Sequence, residues 1–225
     1  TGDLAGGFVG DHVPNRVGLE ANFWNTETTG QTKWVGNSSE SADVIGLSSA
    51  EMKNPFNFID EGWDFERVWG KSRKGNNNGY MVFKRLDDTV YGHYVRLLDT
   101  AKTYGNANPD AGNIPKASDP GADNVTTNWG SAINKTTDAG TYAYNTPNVL
   151  GVSFDKETAE DYYIKYGSLT IDRRLLTVSG SFDVADKIYD GTPNVEISEN
   201  SLSLANTIAG DDVSIAPEFK QTKAG

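Results

Sequence analysis

The chain repeats itself at an interval the length of a small domain. Lys102-Thr103-Tyr104-Gly105-Asn106-Ala107-Asn108-Pro109 returns as Lys187-Ile188-Tyr189-Asp190-Gly191-Thr192-Pro193-Asn194, with the two tyrosines 85 residues apart. An Arg-Leu-Leu triplet precedes each phrase, at Arg96-Leu97-Leu98 and at Arg174-Leu175-Leu176. Self-similarity at this interval predicts an array of successive small modules in place of one large core.

With 225 residues and 36% apolar content the chain can bury one to three small cores, and 24 glycines with 8 prolines predict many turns. The apolar residues fall in short alternating stretches rich in Tyr, Val, Thr, Phe and Ile, which predicts strands and argues against helical repeats. No stretch approaches the ~18 apolar residues that span a bilayer, so no membrane insertion is expected. A net charge of −11 and a sequence pI of about 4.6 oppose binding to nucleic acid or anionic lipid. The sequence has no cysteine, which excludes disulfides, thiolate metal sites and thiol nucleophiles within it. Thr1 to Gly7 reads as the middle of a repeat without a leader, and the chain is expected to be part of a longer one.

The first region, residues 1–90, is rich in Gly, Asn, Thr and Trp. Ser48 as N-cap, Glu51 at N3, and Leu47 with Met52 as a hydrophobic staple predict a short helix, which Pro55 is expected to end. Large apolar residues alternate over Trp63–Trp69 and Gly79–Leu86, predicting two strands. Between them, Lys71 to Gly79 is basic, then Asn-rich, and reads as a solvated turn whose functional reading is contact with an anionic glycan. The second region, residues 91–178, opens near Tyr94 and passes through a long polar loop from Asn106 to Asn128. It ends in Asp161–Ile171, the best strand candidate, with Tyr162, Ile164 and Tyr166 on one face and a Gly167-Ser168 break before a second strand. The third region, residues 179–225, starts a further module that looks incomplete, so an open sheet edge is expected there.

Taken together these residues resemble parts of large bacterial surface adhesins of the filamentous haemagglutinin and two-partner secretion kind. Gly6-Gly7-Phe8-Val9-Gly10 resembles the last turn of a GLUG-type repeat, and Asn22-Phe23-Trp24-Asn25-Thr26-Glu27-Thr28-Thr29-Gly30-Gln31 resembles the passage that follows such repeats. Ala50-Glu51-Met52, Gly62-Trp63-Asp64-Phe65, Trp69 and Gly79-Tyr80-Met81-Val82 match the rest of that cap, with Asn25 where Asp is usual and Met81 where Pro is usual. From Tyr94 to Val178 the chain is similar to MBG modules of the Tyr-Gly type, through Thr103-Tyr104-Gly105-Asn106, Gly140-Thr141-Tyr142, Tyr162-Tyr163-Ile164 and Leu175-Leu176-Thr177-Val178. From Ser179 onward, Lys187–Thr192 and Gly210-Asp211-Asp212-Val213 resemble the start of a YDG module.

The resemblance implies a mainly β chain: the end of a right-handed β-solenoid with a short capping helix, followed by small β-rich modules of β-grasp or immunoglobulin-like build. It implies a secreted or cell-surface location, a host or bacterial surface receptor or glycan as partner, and an outer-membrane secretion partner engaged through other parts of the protein. Physically, Trp24, Trp34, Trp63 and Trp69 are expected to cover the last coil as one cluster. Tyr104 and Tyr189 are expected to pack at module entrances, with Gly105 and Asp190-Gly191 supplying positive φ.

No catalytic, cofactor or metal site is assigned. His12 and His93, the two histidines, sit in no metal or triad motif. The rival to a non-catalytic segment is a polysaccharide-acting β-helix enzyme using a pair among Asp60, Glu61, Asp64 and Glu66; Asp64 is read as a structural acid of the cap. A third reading is a lectin module in which Trp129, placed in the polar loop, stacks on sugar. Asp87-Asp88 and Asp211-Asp212 read as turn acids lacking the spacing of a calcium loop. Asn37, Asn124 and Asn134 each open an Asn-x-Ser/Thr triplet open to glycosylation.

Overall fold

The computed structural model describes residues 5–8, 21–36, 44–156, 158–192 and 194–216. The chain is mainly β, in small sheets of two or three strands. His12, Asn37 and the Val9-Gly10 end of the GLUG-like phrase lie outside the described residues.

β1 (Asn22–Asn25) and β2 (Val44–Leu47) pair in parallel, Asn22 against Val44 through Asn25 against Leu47. A one-turn helix, α1 (Thr26–Thr29), follows β1 because the Asn25 side chain accepts from the amides of Glu27 and Thr28, both at 3.0 Å. Trp24 lies between two glycines: a Cβ on Gly7 would fall 1.8 Å from its ring, and one on Gly46 3.0 Å from it. The Ser48/Glu51 box forms, with the Ser48 amide donating to Glu51 Oε2 at 2.8 Å and the Glu51 amide to Ser48 Oγ at 3.3 Å. The turn it starts is a 3-10 helix at Glu51–Lys53. Pro55 does not end that helix but begins the next, α2 (Pro55–Ile59). Asn54 caps the Phe56 amide, and Pro at N1 has no amide hydrogen to lose.

The strand expected over Trp63–Trp69 is mostly a turn. The Asp64 carboxylate accepts from the amides of Glu66 (3.0 Å) and Arg67 (2.8 Å), so only Trp69 enters β3 (Trp69–Lys71). Its partner β4 (Met81–Phe83) is antiparallel, with Trp69 opposite Phe83. The four tryptophans do not form one cluster. Trp24 and Trp34 bury with Val35 and Val44, whereas Trp63 and Trp69 pack on a second core of Leu47, Phe56, Phe58, Phe65, Met81 and Tyr94.

The second segment is built on one long parallel ladder. β5 (His93–Arg96) pairs with β10 (Tyr162–Lys165), and β6 (Thr100–Thr103) with β11 (Ser168–Asp172), at a constant offset of 69 residues. In the gap between the two halves, Asp99 Oδ1 accepts from the Ser168 amide at 2.7 Å. β8 (Gly140–Ala143) extends β11 antiparallel, and β7 (Val125–Trp129) and β9 (Leu150–Phe154) form a separate antiparallel pair. Val95, Leu97, Ile114, Tyr144, Leu169 and Ile171 are among the residues buried between these sheets. Tyr162 and Ile164 contribute to that core, whereas Tyr163 packs on the other one with Tyr91 and Tyr94. Tyr166 is exposed.

The third segment is a two-stranded ribbon. β12 (Thr177–Ser179) and β13 (Phe182–Val184) pair antiparallel with β15 (Ser203–Ala205) and β14 (Ile197–Asn200), in one register interrupted by a bulge after Asp183. No described residue after Ile171 is buried.

Candidate binding site

Five aromatic rings form a column from the core to the surface. Phe23 meets Phe58 at 4.6 Å between centroids, Phe58 meets Trp63 at 4.8 Å, Trp63 meets Trp69 at 4.2 Å, and Trp69 stacks on Phe83 at 4.3 Å and 27°. The column ends in solvent: Phe83 is 47% exposed and its neighbour Leu86 83%. Beside them lies a concavity of about 360 Å³ whose polar wall is Asn76, Asn77 and Asp87, within the range of small-ligand sites.

Turn chemistry holds that wall in place. Asn77 and Asn78 take left-handed φ values of 56° and 53°, which Asn tolerates better than most residues. Asn77 Nδ2 donates to the Met81 carbonyl (3.0 Å), and Asn76 Nδ2 to Asp87 Oδ2 (2.9 Å). Asp87 Oδ1 accepts from the Thr89 hydroxyl and amide, which with the Asn76 bond hold its carboxyl down to about 2. Exposed Arg67 and Arg85 flank the far side of Phe83. An apolar ring face edged by amide, carboxylate and guanidinium can take the C–H face of a sugar ring and hydrogen-bond its hydroxyls. The loop read as a solvated turn thus contributes Asn76 and Asn77 to this wall. Its Lys71 is drawn inward, with the ammonium donating to the carbonyls of Lys53 (2.6 Å) and Gly79 (2.9 Å).

The four acids considered for catalysis have separate settings. Asp60 is paired with Arg96 (2.6 Å) and Lys116 (3.2 Å), and the Arg96 hydrogen bond outweighs burial to hold its carboxyl below the usual range. Asp64 caps a turn, and Glu61 and Glu66 are exposed. Trp129 lies on β7 and not in an open loop. Its indole N–H donates to the Pro109 carbonyl (2.6 Å) and its ring meets Tyr144 edge-on, so it serves the core. Asp211 accepts from the Tyr104 hydroxyl at 2.6 Å. Asn134 is exposed, with Oδ1 accepting from the Thr136 amide, and Asn124 sits half-buried at the start of β7. His93 stacks on Tyr162 at 4.6 Å. Among the described residues, no group of three or more His, Asp or Glu could hold a metal ion, and no helix is long and apolar enough to cross a membrane.

Each Arg-Leu-Leu arginine sits at a junction between segments, a role the sequence reading did not give it. Arg96 donates to Asp60 at the end of α2 and to Asp119 in the second segment, and its guanidinium lies 4.6 Å from the Phe56 ring centroid. Arg174 donates to the Asn206 carbonyl of the ribbon (2.7 Å) and to the Tyr104 carbonyl (3.4 Å) of the second segment. Gly105, at φ 85°, leaves room for Ile208 in the same junction, where a Cβ would stand 2.3 Å from its Cδ1. The recurrence of the triplet was the available signal.

No protein-family model and no solved structure matches the chain. A stretch of 69 residues, 31% of the chain, is 36% identical to part of a "Putative Gly-rich membrane protein" from Evansella cellulosilytica. The match spans 6% of that relative's length.

Proposed function

We propose that the chain is a non-catalytic segment of a secreted or cell-surface bacterial adhesin, acting as a stalk that holds out a contact face. The observation that carries this reading is the pair of guanidinium-bridged junctions at Arg96 and Arg174. Bonds that tie each arginine both to its own segment and to the neighbouring one fix the direction of one segment on the next, where a Gly-Ser tether would leave it free. The parallel pairing of β1 with β2, and Trp24 seated between Gly7 and Gly46, support reading residues 1–90 as the end of a solenoid. Parallel pairing of the first and last strands of residues 91–178 favours a β-grasp-like module over a sandwich of antiparallel sheets; residues 179–225 are read as the start of a YDG-like module. A surface location with a secretion partner and a host or bacterial receptor follows from the adhesin resemblance, and a relative named as a membrane protein is in keeping with it.

The exposed end of the ring column favours a second reading within the first, in which Phe83, Leu86 and the Asn76–Asp87 wall bind a glycan. One experiment addresses both: the chain is incubated with a panel of plant, bacterial and host polysaccharides, and both retention and new reducing ends are measured. Retention without new reducing ends is expected, with at least ~10-fold weaker binding in Phe83→Ala, since one base of stacking area carries about 1–3 kcal/mol in comparable platforms. Turnover that Asp64→Asn abolishes would replace the adhesin reading with the enzyme one, and retention unchanged in Phe83→Ala would remove the glycan site.

A further inference from the structure

The two copies of the repeated phrase share a local build. Lys102, in the first, is buried, and its ammonium donates to Asn108 Oδ1 (2.8 Å) and the Asn134 carbonyl. Lys187, in the second, donates to Thr192 Oγ1 (2.7 Å) and to the carbonyls of Thr192 (3.1 Å) and Asn194. A positive-φ glycine follows each, Gly105 at 85° and Gly191 at 80°. In the first copy the phrase begins within the last residues of an interrupted first strand, His93–Thr103, and in the second it follows such a strand, Thr177–Val184, after two residues.

The surroundings of those two strands differ on one side only. His93–Thr103 has an antiparallel neighbour along one edge: the Leu98 amide donates to the Ile114 carbonyl, the Tyr94 amide to the Pro120 carbonyl, and the Lys116 amide to the Arg96 carbonyl. Its other edge carries the parallel strands β10 and β11. Thr177–Val184 likewise has an antiparallel neighbour along one edge, β14 and β15. Its other edge has no strand among the described residues. With the phrases aligned on Lys102 and Lys187, Phe182 falls on Leu97, which is 3% exposed whereas Phe182 is 37% exposed. The ribbon is two-faced. Val178, Phe182, Val184 and Ile197 line one side, all more than a third exposed, and the opposite side is serine-rich, with Ser179 bonded to Ser203 and Ser181 to Ser201.

We propose that the edge of β12 and β13 left open among the described residues is a docking site for a parallel β-strand of the β10–β11 kind, in which alternate residues are apolar and cover Val178, Phe182 and Val184. The occupant is identified by the equivalent position in this same chain, where Tyr162–Asp172 fills it. Main-chain bonds supply the attachment and the alternate side chains the selection. This goes beyond the adhesin reading and does not depend on it.

The test uses the whole chain and a synthetic peptide with the sequence of residues 161–173. Amide hydrogen exchange is followed across residues 177–184 with the peptide, with a scrambled peptide, and in the Phe182→Asp chain. Because Phe182 is exposed, that variant keeps the ribbon, and unchanged exchange at Leu202–Ala205 checks that it does. Exchange slowed roughly tenfold or more by the native peptide at 177–184 is expected, with the effect lost in Phe182→Asp. Equal slowing by the scrambled peptide, slowing confined to 197–205, or no slowing at all would overturn the proposal. Concentration-dependent self-association abolished by Phe182→Asp would overturn it too, by placing a second copy on the edge.

Discussion

Arg96 is the residue on which the first junction converges. Its partner Asp119 has a fully buried side chain, and truncating the arginine leaves that carboxylate without its cation. Removing one member of a buried pair costs about 3–5 kcal/mol, so Arg96→Met is expected to lower the thermal midpoint well beyond the effect of Arg174→Met, which removes bonds to neutral carbonyls and leaves no buried charge behind. Arg96→Lys does not restore it, because an ammonium cannot reach Asp60 and Asp119 with two forks at once. The carboxylates are also expected to set the acid limit. Arg96 pulls the Asp60 carboxyl below its ordinary 3.8, and the Thr89 and Asn76 bonds bring Asp87 to about 2. Both are depressed in the folded chain, so their contribution is present above pH ~4 and lost as pH falls toward ~2. Urea midpoints are expected to be level from pH 7 to 5 and to drop at pH 3; a midpoint unchanged at pH 3 would show that neither carboxylate matters to stability.

Among the elements, β11 is central and β12 peripheral. Leu169 on β11 is wholly buried, between β6 and β8, and Leu169→Ala is expected to cost about 2–5 kcal/mol. Val178→Ala on β12, at a residue 52% exposed, is expected to stay within about 0.5 kcal/mol by the same denaturation measurement. The sequence shows β10 and β11 because a tyrosine-rich alternation and a Gly-Ser break are local signals. It shows the Ser48/Glu51 box for the same reason. Alternation misleads at Trp63–Trp69, where one carboxylate, Asp64, binds two amides and turns the chain, and a side-chain acceptor leaves no mark in an apolar pattern. Pro55 misleads because it can close one helix or open another, and Asn54 ahead of it is the feature that decides. The binding wall is partly legible, since Asn76–Asn78 reads as a turn. Its apolar floor depends on the register that puts Phe83 opposite Trp69, a pairing between distant residues that neither segment specifies alone.

For the whole molecule, the junctions at Arg96 and Arg174 predict modules standing in line. Solution scattering is expected to give a radius of gyration well above the ~17 Å of a single compact globule of this length; a compact value would leave the stalk reading without support. How such a line bears load follows from the parallel ladder at offset 69. Tension along the chain enters at the start of β5 and leaves at the end of β11. These strands point the same way, so the pull acts in shear, and the cross-strand bonds from His93 to Asp172 must give way together. The ribbon is loaded differently. The chain enters it at Thr177 and leaves it at Ala205, two residues paired at the same end, so tension peels it one pair at a time. Of these two segments the ribbon is therefore expected to yield first, with the second acting as its mechanical stop.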